Sequence, residues 1–435
     1  MLESFLHLVW RSRLFEQKEL KTISGEDLLI KNPGELNEDS GPDFSFASIK
    51  IGNQQWIGHV EIHKKSSDWA RHGHQNDAAY NAVILHVCFE CDQDVYRLDG
   101  TLIPQLELKS RISQSRMERH RDLNENLAPI PCSFLVARVT PLLWKSTLDR
   151  MFIERIEIRS REIWDRLEQC NGDWGKVYWE FLCRSFGMKK NKAGFDQLAR
   201  LIDHRILERL GSESLKIEAL LFGISGMLKR EFIHPYIKEL HNEYRFLKKK
   251  YNTVEMNVVV WKFMRMRPNN FPTIRLVQLA GFITQFGIHF ETSDTSHYFS
   301  LIKELKYIPI SEFWQDHYTL AKSSTKSSKK PGEILSRSLL VNVFVPMLFA
   351  YWKSKGQYEL VEEFIERLKG LKAESNQITR QFEKIGLKAE NLWEGQALLH
   401  LHNNYCTLKR CNSCIIGKYL LCYEKTSDRN MEKSN

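Results

Sequence analysis

The amino-acid sequence predicts an α+β protein: an N-terminal mixed α/β sheet domain, then a large all-α domain, with a C-terminal cysteine cluster. Three features carry this expectation. Short β-branched or aromatic runs, separated by turn-forming residues, fill the stretch from Asp27 to Lys109. Beyond about Thr140 they give way to long runs with apolar residues at helical spacing. Four of the nine cysteines, Cys406, Cys411, Cys414 and Cys422, then fall within 17 positions.

Residues 2–15 place Leu2, Phe5, Leu6, Val9 and Trp10 at helical intervals and predict a first helix. Strands are expected at Asp27–Lys31, Phe44–Ile51, Gln55–His63 and Val83–Phe89, with a further one near Gln105–Lys109. The turns Asn32-Pro33-Gly34 and Ser40-Gly41-Pro42 separate the first of these, and Asp77–Ala82 reads as a short helical crossover. Leu148–Glu168, Phe195–Leu210 and Tyr358–Leu371 are expected helices. Lys322–Gly332, rich in Ser and Lys and without apolar residues, reads as an exposed mobile loop. The domains are therefore set at 1–130, 131–400 and 401–435.

A chain of 435 residues exceeds what one core usually organises, and 42% hydrophobic with 27% charged residues excludes disorder and fibrous classes. Glu3, Arg11 and Arg13 interrupt the N-terminal apolar run, which argues against a signal peptide. The apolar stretch Leu339–Trp352 is shorter than the ~20 residues of a membrane span and reads as a buried helix, so no membrane partner is expected. Nine cysteines without a disulfide framework fit a reducing compartment, and a cytoplasmic location is expected. Residues 1–130 hold 15 Lys and Arg against 20 Asp and Glu, whereas the remainder carries +14. An acidic front can hold a divalent cation, and a basic body attracts a polyanion; nucleic acid, DNA above RNA, is the expected partner.

The densest polar chemistry runs from Asp39 to His86. In Gly58-His59-Val60-Glu61-Ile62-His63 the strand period of two places Glu61 and His63 on one face. Asp43, just after a Gly-Pro turn, starts the preceding strand and can reach Glu61 across the pair. Two carboxylates there suit Mg²⁺ or Mn²⁺. His63 is a candidate ligand or base; as a base it must be neutral, so activity would fall as pH drops through ~6.5.

This arrangement resembles the PD-(D/E)XK nuclease superfamily. Pro42-Asp43 matches the PD element and Glu61-Ile62-His63 the E-x-K element, with His63 where the lysine stands and Lys64 on the opposite face. The resemblance implies a nuclease-like core with Asp43, Glu61, His63 and Tyr80 as catalytic candidates. Tyr80 follows Gln75 on the crossover, as a Gln and a Tyr do in some exonuclease-like members, one residue further apart here. Across its length the chain also resembles DUF2851, a bacterial family of unknown function. SGPDF, GHVEIHKKSSDWARHGHQNDAAYNAVILHV, MRMRPNNFPTIRLVQLA and YCTLKRCNSCIIG carry that likeness.

Three further clusters stand out. His63, Asp68, His72, His74 and His86 are secondary metal-site candidates, able in principle to hold zinc. Cys406, Cys411, Cys414 and Cys422 are spaced to bind zinc or an iron-sulfur cluster, with His402 or Cys132 as alternative fourth ligands. Lys262, Arg265, Arg267 and Arg275 surround a Pro-Asn-Asn-Phe-Pro turn where Thr273 can cap the next helix, a pattern suited to phosphate contacts or to a helix corner. The leading expectation is a metal-dependent nuclease or nuclease-like DNA-processing protein. The alternatives are a non-catalytic nucleic-acid-binding or complex-forming protein with a degenerate core, and a metallohydrolase built on the histidines.

Overall fold

In the computed structural model, residues 3–37, 39–229 and 233–423 are described. Leu2 of the expected first helix and residues 424–435 of the cysteine-rich segment lie outside them. Helix α1 (Glu3–Arg11) buries Phe5, Leu6, Leu8, Val9 and Trp10 and packs against the central strand of the sheet. The Trp10 indole N–H donates to the Pro33 carbonyl at 2.9 Å, which ties the helix to the first turn between strands.

The strands are β1 (Leu28–Asn32), β2 (Glu35–Leu36), β3 (Phe44–Ile51), β4 (Gln54–Lys65), β5 (Val83–Glu90) and β6 (Gln105–Glu107). They form one six-stranded mixed sheet in the order β1-β3-β4-β5-β6, with the short β2 pairing with the start of β3. β1, β3 and β4 are antiparallel neighbours, while β4, β5 and β6 run parallel. Phe44, Ala47, Ile49, Val60, Ile62, Leu85 and Val87 are buried, so β4 and β5 lie covered at the middle of the sheet. At Gly58 an added Cβ would stand 2.5 Å from Ile84 Cγ2 and 2.6 Å from the Ala82 carbonyl; only glycine permits this approach of β4 to β5.

A parallel pair needs a crossover, and residues 66–82 supply it with α2 (Asp68–Arg71) and two short 3₁₀ turns. The expected helix at 77–82 is a 3₁₀ turn over Ala78–Ala82, begun by the Asp77 carboxylate accepting from the Ala79 N–H. Trp69 packs there with Val83, Val95, Ile103 and Tyr80.

Two compact units divide the chain: residues 1–151, 374–390 and 397–435 make the first, and 152–373 with 391–396 the second. Beyond its sheet, the first unit contains α3 (Gln114–Glu125) and a terminal helix, Ile415–Cys422. The second unit is helical, with Trp174–Phe186, Ser214–Ile224 and Pro272–Phe286 around a core that includes Trp179, Phe186, Phe222 and Trp314. Glu333–Ser354 is long and apolar enough to span a membrane, yet it lies mostly buried inside the fold.

Three local expectations change. Phe195–Leu210 is two helices, Lys192–Leu201 and His204–Leu210, because Asp203 caps the second through the Arg205 N–H. Thr273 does not cap: Pro272 already occupies the first turn of its helix, and the Thr273 hydroxyl donates to the Tyr318 carbonyl. The Lys322–Gly332 segment is not wholly exposed. Lys329 is buried, its ammonium bonded to the carbonyls of Gln315 and Ser327 and lying 3.8 Å from the Tyr318 ring centre.

Candidate functional site

The turn before β3 positions the first carboxylate. Gly41 takes φ +103°, and the Asn37 side-chain amide donates to the Ser40 and Pro42 carbonyls, both at 3.1 Å. Asp43 thus enters β3 beside β4. Its N–H donates to Glu61 Oε2 at 3.0 Å, and its Oδ2 accepts from the Ile62 N–H at 2.9 Å. Each carboxylate is fixed by the other's strand. Immediately afterwards β3 bulges between Phe44 and Ala47, with Phe46 at φ +57°, a distortion that reorients a strand end.

Glu61 lies on β4 opposite His86 of β5 and is 4% exposed. Its Oε1 faces His74 Nε2 at 3.3 Å and His63 Nε2 at 3.6 Å. Glu61 and His63 share a face, as the strand period predicts. The crossover brings in the rest. His63 Nε2 meets His72 Nδ1 at 3.1 Å, and one nitrogen from each of His63, His72 and His74 lies within 4.8 Å of the others. His63 Nδ1 pairs with His86 Nε2 at 2.8 Å, and Tyr80 stacks on His74 with ring centres 3.8 Å apart.

Burial raises the pKa of Glu61, against the facing His74 ring, and the Asp43 charge adds to the rise while a hydrogen bond from the Asp43 N–H opposes it. Burial likewise pulls His63 down to about 2, reinforced by His86, His74 and His72. His63 is therefore a neutral ring across the working pH range, and loss of its base form near ~6.5 is not to be expected. It offers a lone pair and cannot supply the positive charge of the motif's lysine. His86, wholly buried, is pulled down to about 3 by the same cause and orients His63. Burial pushes Tyr80 up to about 12, with Glu61 and Asp43 contributing, so its hydroxyl keeps its proton.

A residue that sequence reasoning missed completes the group. His7 on α1 sets Nε2 3.3 Å from Asp43 Oδ2, with its ring edge-on to Phe44. Burial opposes its charge, but Asp43, Glu3 and Glu61 outweigh burial and raise its pKa. Among the buried polar atoms, His7 Nε2 and His74 Nε2 lack a hydrogen bond of good geometry although each faces a carboxylate. Two carboxylates and the converging imidazoles of His63, His72 and His74 fit a divalent cation, with His7 pairing Asp43 from α1.

The remaining candidates sort by contact. Asp68 is paired with Arg71 at 2.8 Å and accepts from the Lys65 N–H, outside the histidine group. Lys262, Arg265 and Arg267 are exposed. Arg275 is buried, donating to Asn270 Oδ1 at 2.7 Å and Gln278 Oε1 at 2.8 Å, so it braces a helix start. All nine cysteines are free. Burial raises the pKa of Cys132 and of Cys406; Cys411 and Cys414 add to both, and Cys132 adds to that of Cys406. Cys422, at the end of the terminal helix, instead senses Arg116, Lys418 and Arg119. His402 is bonded to the side chains of Asn403 and Thr407.

The chain belongs to the DUF2851 family, described as proteins of unknown function: the family's model matches residues 3–377. No curated protein and no solved structure matches it.

Proposed function

We propose that this DUF2851 member hydrolyses phosphodiester bonds in nucleic acid, DNA above RNA, with Mg²⁺ or Mn²⁺ held by Asp43 and Glu61. The observation that carries the reading is the reciprocal bonding of these two residues across β3 and β4, with His63 and His74 facing the outer oxygen of Glu61. The order of a helix, antiparallel strands, a crossover and a parallel strand also resembles the PD-(D/E)XK core.

A bound cation would neutralise charge developing on the phosphate and lower the pKa of a bound water. The protein's own groups do the rest. His63, neutral but too weak a base at a pKa of about 2 to take a proton from water, would offer its ring lone pair to the cation, and His86 fixes its tautomer and plane. Tyr80, protonated, donates to a phosphate oxygen. His7 balances the charge of Asp43.

The test is cleavage of end-labelled single- and double-stranded DNA and RNA in Mg²⁺, Mn²⁺ or EDTA. Cleavage should require the metal, and Asp43→Asn should lower the rate ~10²–10³-fold, the equivalent of a few kcal/mol of transition-state stabilisation. No cleavage of any polymer in either metal would sink the proposal. A second reading, a zinc hydrolase on His63, His72 and His74, is favoured by their convergence within 4.8 Å. In that case His72→Ala would abolish hydrolysis while Asp43→Asn would leave it largely intact.

A further inference from the structure

We propose that Cys132, Cys406, Cys411 and Cys414 together ligate one iron-sulfur cluster that fastens the C-terminal segment to the sheet-bearing unit. The cysteine nearest in sequence, Cys422, is not a ligand.

The segment is folded to present sulfur. The Arg410 N–H donates to the Tyr405 carbonyl at 2.9 Å, and the Ser413 and Cys414 N–H groups return to the Arg410 carbonyl at 3.1 and 3.0 Å. Cys411 and Cys414 therefore sit on one tight turn. Cys414 is the cap residue of the terminal helix; burial raises its pKa, and the nearby Ile416 and Gly417 N–H groups oppose this without a capping hydrogen bond to the sulfur. Gly417 is required by this turn, since an added Cβ would lie 2.1 Å from the Cys411 carbonyl oxygen.

Cys132 arrives from the other side. It opens the 3₁₀ turn Ser133–Arg138, with the Leu135 N–H donating to its carbonyl at 2.9 Å. The Asn126 amide holds the Pro131 carbonyl at 2.7 Å, and Lys409 reaches the Asn124 carbonyl. Arg116 donates to the Leu421 carbonyl, and Asn412 to the Ser4 hydroxyl at 3.0 Å. These bonds clamp the 405–423 segment against α1, α3 and the Cys132 turn, which leaves Cys132 within electrostatic reach of Cys411 and Cys414, and Cys406 within reach of all three.

Four thiols without disulfides, Cys411 and Cys414 buried and Cys132 and Cys406 half-buried, form a soft donor set that selects zinc or iron-sulfur. Spacing separates the two. Around a single zinc, Zn–S bonds of ~2.3 Å place sulfurs ~3.8 Å apart. Among the described residues, only the three histidines bring three ligand atoms within 4.8 Å of one another, so the sulfurs stand wider than a lone ion needs. A cluster with iron at its corners holds its thiolates further apart than a single zinc does. Lys409, Lys418 and Arg150 lie near Cys411 and Cys414, and would offset the negative charge of a thiolate-ligated cluster.

The experiment is iron and acid-labile sulfide analysis, with visible absorption, of the full chain purified without oxygen. About four iron and four sulfide per chain are expected. Cys132→Ser and Cys414→Ser should each lose most of both, while Cys422→Ser should keep them. A measurement on unaltered protein guards against misfolded variants: alkylation followed by peptide mass spectrometry, before and after oxidative stripping with a chelator. Cys132, Cys406, Cys411 and Cys414 should become reactive together. One zinc per chain without sulfide, no bound metal, retention of iron in Cys132→Ser with loss in Cys422→Ser, or unlinked labelling would each overturn the proposal.

Discussion

Replacing Glu61 by Gln should reverse sign as a stability change when a divalent cation is added. In metal-free protein Glu61 is a buried carboxylate beside Asp43, and burial raises its pKa. A glutamine keeps an oxygen to accept from the Asp43 N–H and removes a buried charge. Glu61→Gln should therefore be at least as stable as wild type in EDTA. With Mn²⁺ at about a hundred times its Kd, wild type gains ~2.7 kcal/mol from binding to the folded state. For the first unit, roughly 200 residues long, this corresponds to a rise in Tm of about 5–10 °C. The variant, without its central ligand, should gain little. Thermal unfolding followed by near-ultraviolet circular dichroism, with and without Mn²⁺, gives the four values. An equal metal-induced rise in both proteins, or none in wild type, would refute the reasoning.

Glu218 is buried and accepts from Trp314 and Ser311; burial nevertheless raises its pKa. The folded state then holds its proton more tightly than the unfolded chain, so stability falls as pH rises from the ordinary carboxylate range through the folded pKa. Urea titrations of Glu218→Gln should show a flatter pH profile over that window, and parallel profiles would contradict the assignment. Arg265→Ala with Arg267→Ala should weaken nucleic-acid affinity without sequence preference and reduce its salt dependence, since both arginines are exposed; unchanged binding by fluorescence anisotropy would return them to a structural role. Arg275→Ala should instead cost about 2–3 kcal/mol of unfolding free energy, because Asn270 and Gln278 lose their donor in the interior. A urea midpoint equal to wild type would show that these bonds contribute nothing.

Much of the sheet was legible because its strands carry short-range signals: alternation in Phe44–Ile51 and Gln55–His63, and turn residues at Asn32–Gly34 and Ser40–Pro42. The pairing of Asp43 with Glu61 follows from register alone. His7 was not legible. Its neighbours on α1 are core residues at helical spacing, and nothing local marks a ring that meets a carboxylate 36 positions later. The cysteine segment shows the same limit: sequence distance ranks Cys422 first and Cys132 only as an alternative, while the fold places Cys132 within electrostatic reach of Cys411 and Cys414. Lys329 escaped because the polarity of its segment says nothing about carbonyls folded to receive a buried ammonium.

The central claim is that Asp43, Glu61 and the surrounding imidazoles form one divalent-metal site. Anomalous diffraction from crystals soaked in Mn²⁺ tests it most directly. A single peak at the Glu61 carboxylate, within ligand distance of Asp43 or of His63 and His74, is the predicted result, and it should vanish in Glu61→Gln. No peak there at Mn²⁺ concentrations that support folding, or a peak that persists in the variant, would contradict the claim.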